Sequence, residues 1–223
     1  MKPAPQTPAR SPQHNLPAST NMPVTPPRIG LFGGTFDPVH LGHMHLADLA
    51  RLSLHLDEVR FLPCRISPHK STAPPTPAGD RLELLHRATR DLPWAVVDDW
   101  ELTSQAPSYS VLTAKAIAAS HPGARLFWIM GADQWDALPC WRDPAVLASL
   151  VEFIVLARGG QQPVPRRGYH LHTVHGEHPA SATAIRAAAR DGDLKDEWLH
   201  PKVASWIQQN GLYEWPMHKK TTD

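Results

Sequence analysis

Large apolar side chains are almost missing from residues 1–27, then arrive together at Ile29, Leu31 and Phe32 and stop at Gly33 and Gly34. Such a short apolar run, broken by glycines, reads as a buried strand. From Leu41 to Leu54 the apolar positions change period: Leu46, Leu49 and Ala50 fall at i, i+3 and i+4, one face of a helix. The alternation then repeats. Strands are expected at Glu58 to Leu62, Trp94 to Val97, Leu126 to Met130 and Val151 to Leu156, with a short one near Tyr169 to Val174. Helices are expected from Asp80, read as an N-cap, through Arg90, then at Val111 to Ser120, Thr183 to Arg190 and Pro201 to Gln209.

Strands that alternate with helical segments imply a parallel sheet covered on both faces, a doubly wound, Rossmann-like α/β fold in one domain. Ligands of such folds bind at the carboxyl ends of the strands. The unusual stretches after Phe32, after Leu62 and after Met130 all follow predicted strands, which puts them on one rim.

Composition narrows the setting. The tail, residues 1–27, has eight prolines and few groups able to bury surface, so it is expected to be disordered, leaving 28–223 as the folded domain. Met22 is a possible internal start. A net charge of +1 gives no broad basic surface, so no nucleic-acid partner is expected and any anion site must be local. Cys64 and Cys140 are too few for a disulfide framework. With no apolar run near the roughly 18 residues that span a bilayer, and no signal-peptide stretch, the expected location is the cytoplasm, without membrane attachment.

The chemistry concentrates in Gly33-Gly34-Thr35-Phe36-Asp37-Pro38-Val39-His40-Leu41-Gly42-His43. Paired glycines allow a phosphate chain close to the backbone, and the helix behind them offers unpaired amides and a positive dipole end. His40 and His43 are three apart, so a first helical turn projects both from one face, where imidazoles can donate to phosphate oxygens. A helix cap with incidental histidines and a metal pair are the alternatives, though zinc needs a third ligand and none is obvious nearby. A second segment, Ser181-Ala182-Thr183-Ala184-Ile185-Arg186, opens a helix. Its hydroxyls can cap that helix or bind an anion, and Arg186 adds a planar cation suited to phosphate.

Taken together, these residues resemble the HxGH nucleotidyltransferases, and GGTFDPVHLGH is similar to the signature of their nicotinate-nucleotide adenylyltransferase branch. The resemblance implies that His40 and His43 contact the ATP phosphates and that Gly33, Gly34, Thr35 and Phe36 lie against the nucleotide. Ser181, Thr183 and Arg186 occupy the places of the family's SSTxIR, which binds the triphosphate, with Ala182 as a departure. Pro68-His69-Lys70 resembles PPHK, with Ser67 in place of the first proline, so that Lys70 would bring a mobile charge to the phosphates. Asp133 in Gly131-Ala132-Asp133 resembles the GxD stretch that faces the ribose. The likeness runs from about Arg28 to Gln208-Gln209-Asn210-Gly211-Leu212-Tyr213 and is weakest over 159–179.

Two segments bear on the acceptor. Ala106-Pro107-Ser108-Tyr109-Ser110 resembles APSYT, and Leu138-Pro139-Cys140-Trp141-Arg142 resembles FPTWY. The resemblance implies that Trp141 stacks on the pyridine ring and that the amides at Ser110 and Arg142 bind the nicotinate carboxylate. Arg142 replaces a tyrosine; its guanidinium either strengthens the preference for an acid or pairs with Asp143. The expected reaction is transfer of AMP from ATP to nicotinate mononucleotide, by direct attack of the acceptor phosphate on the α-phosphorus. Mg²⁺ is expected on the substrate phosphates, with no protein metal ligand assigned. The rivals are a nicotinamide mononucleotide or phosphopantetheine acceptor, a non-catalytic nucleotide-binding module, and an NAD-dependent oxidoreductase, the last lacking a GxGxxG.

Overall fold

The computed structural model describes residues 25–65, 74–105 and 107–213. Six strands form the sheet: β1 (Arg28–Gly34), β2 (Glu58–Pro63), β3 (Ala95–Val97), β4 (Arg125–Gly131), β5 (Val151–Ala157) and β6 (Leu171–His175). They lie in the order β3-β2-β1-β4-β5-β6, and every neighbouring pair is parallel. The chain therefore winds outward from β1 in one direction, returns, and winds outward from β4 in the other. Between β1 and β4 the direction reverses, and the crevice at that reversal is where doubly wound sheets bind their ligands.

Alternation along each strand explains the two faces. Ile29 and Leu31 of β1, with Trp128 and Met130 of β4 and Phe153 and Val155 of β5, point to one side and pack beneath α4 (Ser110–Ser120) and α6 (Pro144–Leu150). Phe32, Phe61, Phe127, Ile129 and Ile154 point to the other, beneath α1 (Leu41–Leu54), α2 (Ala78–Thr89), α7 (Ala182–Arg190) and α8 (Pro201–Gln209). Each large apolar side chain fully buried there contributes about 1.5–3 kcal/mol, so both layers are held by the same central strands.

All the predicted long elements are present, α1 and α8 with the bounds read from the pattern. The other bounds shift by one or two residues, and one helix start differs in kind. Asp80 does not cap α2: the helix starts at Ala78 with Pro77 at the N-cap, and Asp80 sits in the first turn, where a carboxylate still favours the helix dipole. The periodicity did not reveal α3 (Trp100–Thr103), α5 (Ala132–Ala137), α6 or the 3₁₀ turns Leu138–Cys140 and Asp196–Trp198. Elements of three to seven residues complete at most two turns, too few for a period to register.

Candidate active site

The glycines ending β1 are needed for close packing. A Cβ on Gly33 would meet the Trp128 indole at 3.3 Å, and one on Gly34 would meet the Phe36 ring at 3.0 Å. Past them the chain turns through Phe36, at φ 49, and a cis Asp37-Pro38 bond into the N-cap of α1 at His40. The His40 N–H donates to Nδ1 of His43 at 3.2 Å, and the two imidazoles stack with centroids 3.7 Å apart. A neutral ring accepting at Nδ1 carries its proton on Nε2, so His43 presents Nε2 as a donor. Phe32 and Phe36 support the His43 ring edge-on.

Gly42 completes this arrangement. It is buried, and a Cβ there would come within 2.9 Å of His40 Nδ1. The glycine of the motif makes room for the first histidine's ring. Burial, followed by the nearby charges of His178 and Arg158, holds the His40 imidazole down at a pKa of about 4. At neutral pH it is uncharged, a hydrogen-bonding ring rather than a cation.

Arg186 reaches this loop from α7. Its guanidinium donates to the Asp37 carbonyl at 2.6 Å, joining residues 149 apart. Ser181 is the N-cap of α7, but its side chain makes no capping bond, and both Ser181 and Thr183 are exposed. The first and second motifs thus meet on the α1 and α7 side of the sheet. Among the described residues, no group of three or more His, Cys, Asp or Glu could hold a metal.

Across the sheet, Asp133 lies exposed in the first turn of α5, just past β4, folded back over Gly131. Ser110 opens α4, half-buried. Trp141 follows the 3₁₀ turn, half-buried, and meets Trp128 edge-on at 6.4 Å. Trp128 thereby packs against both the glycine turn and Trp141. The Arg142 side chain is 65% exposed and pairs with Asp143 at 3.1 Å, the second of its two readings. The Pro68-His69-Lys70 motif, with Lys70, and Ala106 lie outside the described residues.

Sequence reasoning missed four supporting residues. Asp37 is a hub: its carboxylate accepts from the Tyr213 hydroxyl at 2.8 Å and from the Thr76 N–H at 3.2 Å. Burial and the Asp37 carboxylate push the Tyr213 hydroxyl's pKa up, so it stays a donor. Arg81, 1% exposed, bonds carbonyls around the loop. Glu101, also buried, accepts from the Thr113 hydroxyl at 2.6 Å beneath the Ser108 to Ser110 segment, and burial raises its pKa. Only Arg81 left a trace in the sequence, as a charge on a helical stripe whose other members are apolar.

The model of the cytidylyltransferase-like family matches residues 31–188. The nicotinate-nucleotide adenylyltransferase of Bacillus subtilis is 34% identical over 194 residues, 84% of this chain and 98% of that protein. A "Probable nicotinate-nucleotide adenylyltransferase" of Methylacidiphilum infernorum is 35% identical over 187 residues, 83% of this chain and 92% of its own. Among solved structures, Plasmodium falciparum nicotinic acid mononucleotide adenylyltransferase complexed with NaAD aligns with a TM-score of 0.66, covering 84% of this chain and 97% of that one. At 19% identity that likeness speaks for the fold. On the motif residues gathered at the switch point and on relatives aligned almost end to end, the chain belongs to the nicotinate-nucleotide adenylyltransferase family of cytidylyltransferase-like nucleotidyltransferases.

Proposed function

We propose that the protein transfers AMP from ATP to nicotinate mononucleotide, giving nicotinate adenine dinucleotide and pyrophosphate in NAD biosynthesis. The observation that carries this reading is the bond from Arg186 to the Asp37 carbonyl, which sets the guanidinium beside the His40 and His43 turn at the strand ends. Such a cluster suits a polyphosphate.

In the proposed reaction a phosphate oxygen of the acceptor attacks the α-phosphorus of ATP, the bond from that phosphorus to the bridging oxygen breaks, and pyrophosphate leaves. The acceptor monoester is already largely ionised at neutral pH, so no side-chain base is needed. The protein aligns two anions and offsets charge gathering on the leaving group. His43 and neutral His40 act as hydrogen-bond donors, while Arg186 and Lys70 supply charge. The exposed Ser181 and Thr183 hydroxyls, with the α7 amides, receive the outer phosphates. Mg²⁺ would be carried in on the phosphate oxygens of ATP, with no protein ligand assigned, and would lower the charge of the leaving group.

The acceptor is assigned to the α4 and α6 side, with Trp141 under the pyridine ring and the amides at Ser110 and Arg142 on its carboxylate; Asp133 faces the ribose. Two cysteines, both free, suit a cytoplasmic setting. The test is pyrophosphate release from ATP with nicotinate mononucleotide, nicotinamide mononucleotide and phosphopantetheine side by side. Nicotinate mononucleotide is expected to give the highest kcat/KM; a higher value with either rival overturns the acceptor, and no release with any of them overturns the activity.

A further inference from the structure

Arg81 lies on the apolar stripe of α2, in line with Leu84, Leu85 and Ala88, and is 1% exposed. Burying a guanidinium costs several kcal/mol unless its donors are satisfied. Here no carboxylate satisfies them among the described residues. Nε donates to the Thr76 carbonyl at 2.9 Å, one terminal nitrogen to the Thr35 carbonyl at 2.7 Å, and the other to the Arg65 carbonyl at 3.5 Å. The three acceptors come from the turn after β1, the exit of β2 and the approach to α2.

The bond to Thr35 fixes the direction of a peptide in the turn. In a trans peptide the C=O and N–H point opposite ways, so a Thr35 carbonyl drawn onto a buried guanidinium turns the Phe36 N–H away from α2. Phe36 has φ 49, a left-handed conformation that is costly for a non-glycine residue and persists only where its surroundings impose it. Its ring is held by Phe32, Phe61 and His43, and its N–H has no hydrogen-bond partner among the described residues.

We infer that Arg81 is a positioning residue for nucleotide transfer: by gripping the Thr35 carbonyl it holds the Thr35–Phe36 peptide so that the Phe36 N–H is offered to a phosphoryl oxygen of the bound nucleotide. The inference rests on the proposed function for the identity of that nucleotide. Arg81 itself touches no substrate.

The experiment labels the full chain with ¹⁵N-phenylalanine, which gives five backbone amide signals, and titrates it with ATP, alone and with Mg²⁺. In the parent the Phe36 signal is expected to move further than the other four. Arg81→Lys keeps the charge and removes the fork. It is expected to need at least tenfold more ATP to move the Phe36 signal and to lose about tenfold in kcat, with KM for nicotinate mononucleotide within twofold of the parent. Thermal melting checks the fold, and Arg81→Gln replaces the lysine variant if that one does not fold. A Phe36 signal unmoved in the parent, or moved at the same ATP concentration in the variant, overturns the inference. If the parent makes no dinucleotide yet its Phe36 signal responds to ATP in an Arg81-dependent way, the proposed reaction fails and the positioning role stands.

Discussion

The imidazoles of His40 and His43 lie face to face, 3.7 Å apart and 25° from parallel, with the backbone of the first bonded to the ring of the second. One ring therefore sets the position of the other, and both depend on the residue between them that has no side chain.

Gly42→Ala places a methyl within 2.9 Å of His40 Nδ1, in a buried position where the ring must move. A fall in kcat/KM on the order of 10² is expected, comparable to loss of one preorganised donor. The sheet is not touched, so circular dichroism should be unchanged. Parent-like turnover would show that the ring positions do not matter.

His43→Ala removes the Nε2 donor and the stacking partner of His40 together. The expected loss is on the order of 10² to 10³ in kcat. ATP affinity, read by equilibrium binding, should change far less, because the contribution is to charge that develops during transfer. Equal losses in both would place His43 in ground-state binding.

His40 links stability to pH. Its pKa is 6.5 in the unfolded chain and about 4 in the fold. Between those values the unfolded state binds more protons, so the contribution is complete above pH 6.5 and is lost as pH falls toward 4. The whole window is worth roughly 3 kcal/mol. Urea titrations at a series of pH values should show this slope in the parent and a shallower one in His40→Asn. An identical slope in both would assign the dependence elsewhere.

Arg142→Ala removes an exposed guanidinium that pairs with Asp143, and exposed pairs of this kind contribute little. The ratio of kcat/KM for the acid and amide acceptors should stay within about twofold, since the backbone amide proposed to bind the carboxylate remains. A larger change would give the side chain a part in selectivity.

The sheet was readable because its strands are buried on both faces. Their near-continuous apolar runs, such as Leu126 to Met130, differ sharply from the helical stripe of α1. The shared rim of the motifs followed from the same alternation, whereas the reversal between β1 and β4 needed the strand order of the fold. The groups that brace the site were not readable, because each depends on a contact between distant segments. Asp37 sits in plain view within the glycine motif, yet nothing near it in sequence points to Thr76 or Tyr213 as donors. Arg81 was the exception in kind: a cation on the stripe of Leu84, Leu85 and Ala88 breaks the pattern of α2, and only its burial in the fold shows that the break is deliberate. Asp80 misled for a local reason, since a capping residue type three positions into a helix reads like one at its start.

The Tyr213 hydroxyl bonded to Asp37 joins positions 176 residues apart. A nascent chain meets this requirement late. The turn proposed to hold the phosphates leaves the ribosome early, but one of its anchors is among the last described residues to emerge. An unfinished chain therefore carries the histidines and glycines of the motif without the bond that secures them, and the loop reaches its final form only when synthesis has passed Tyr213.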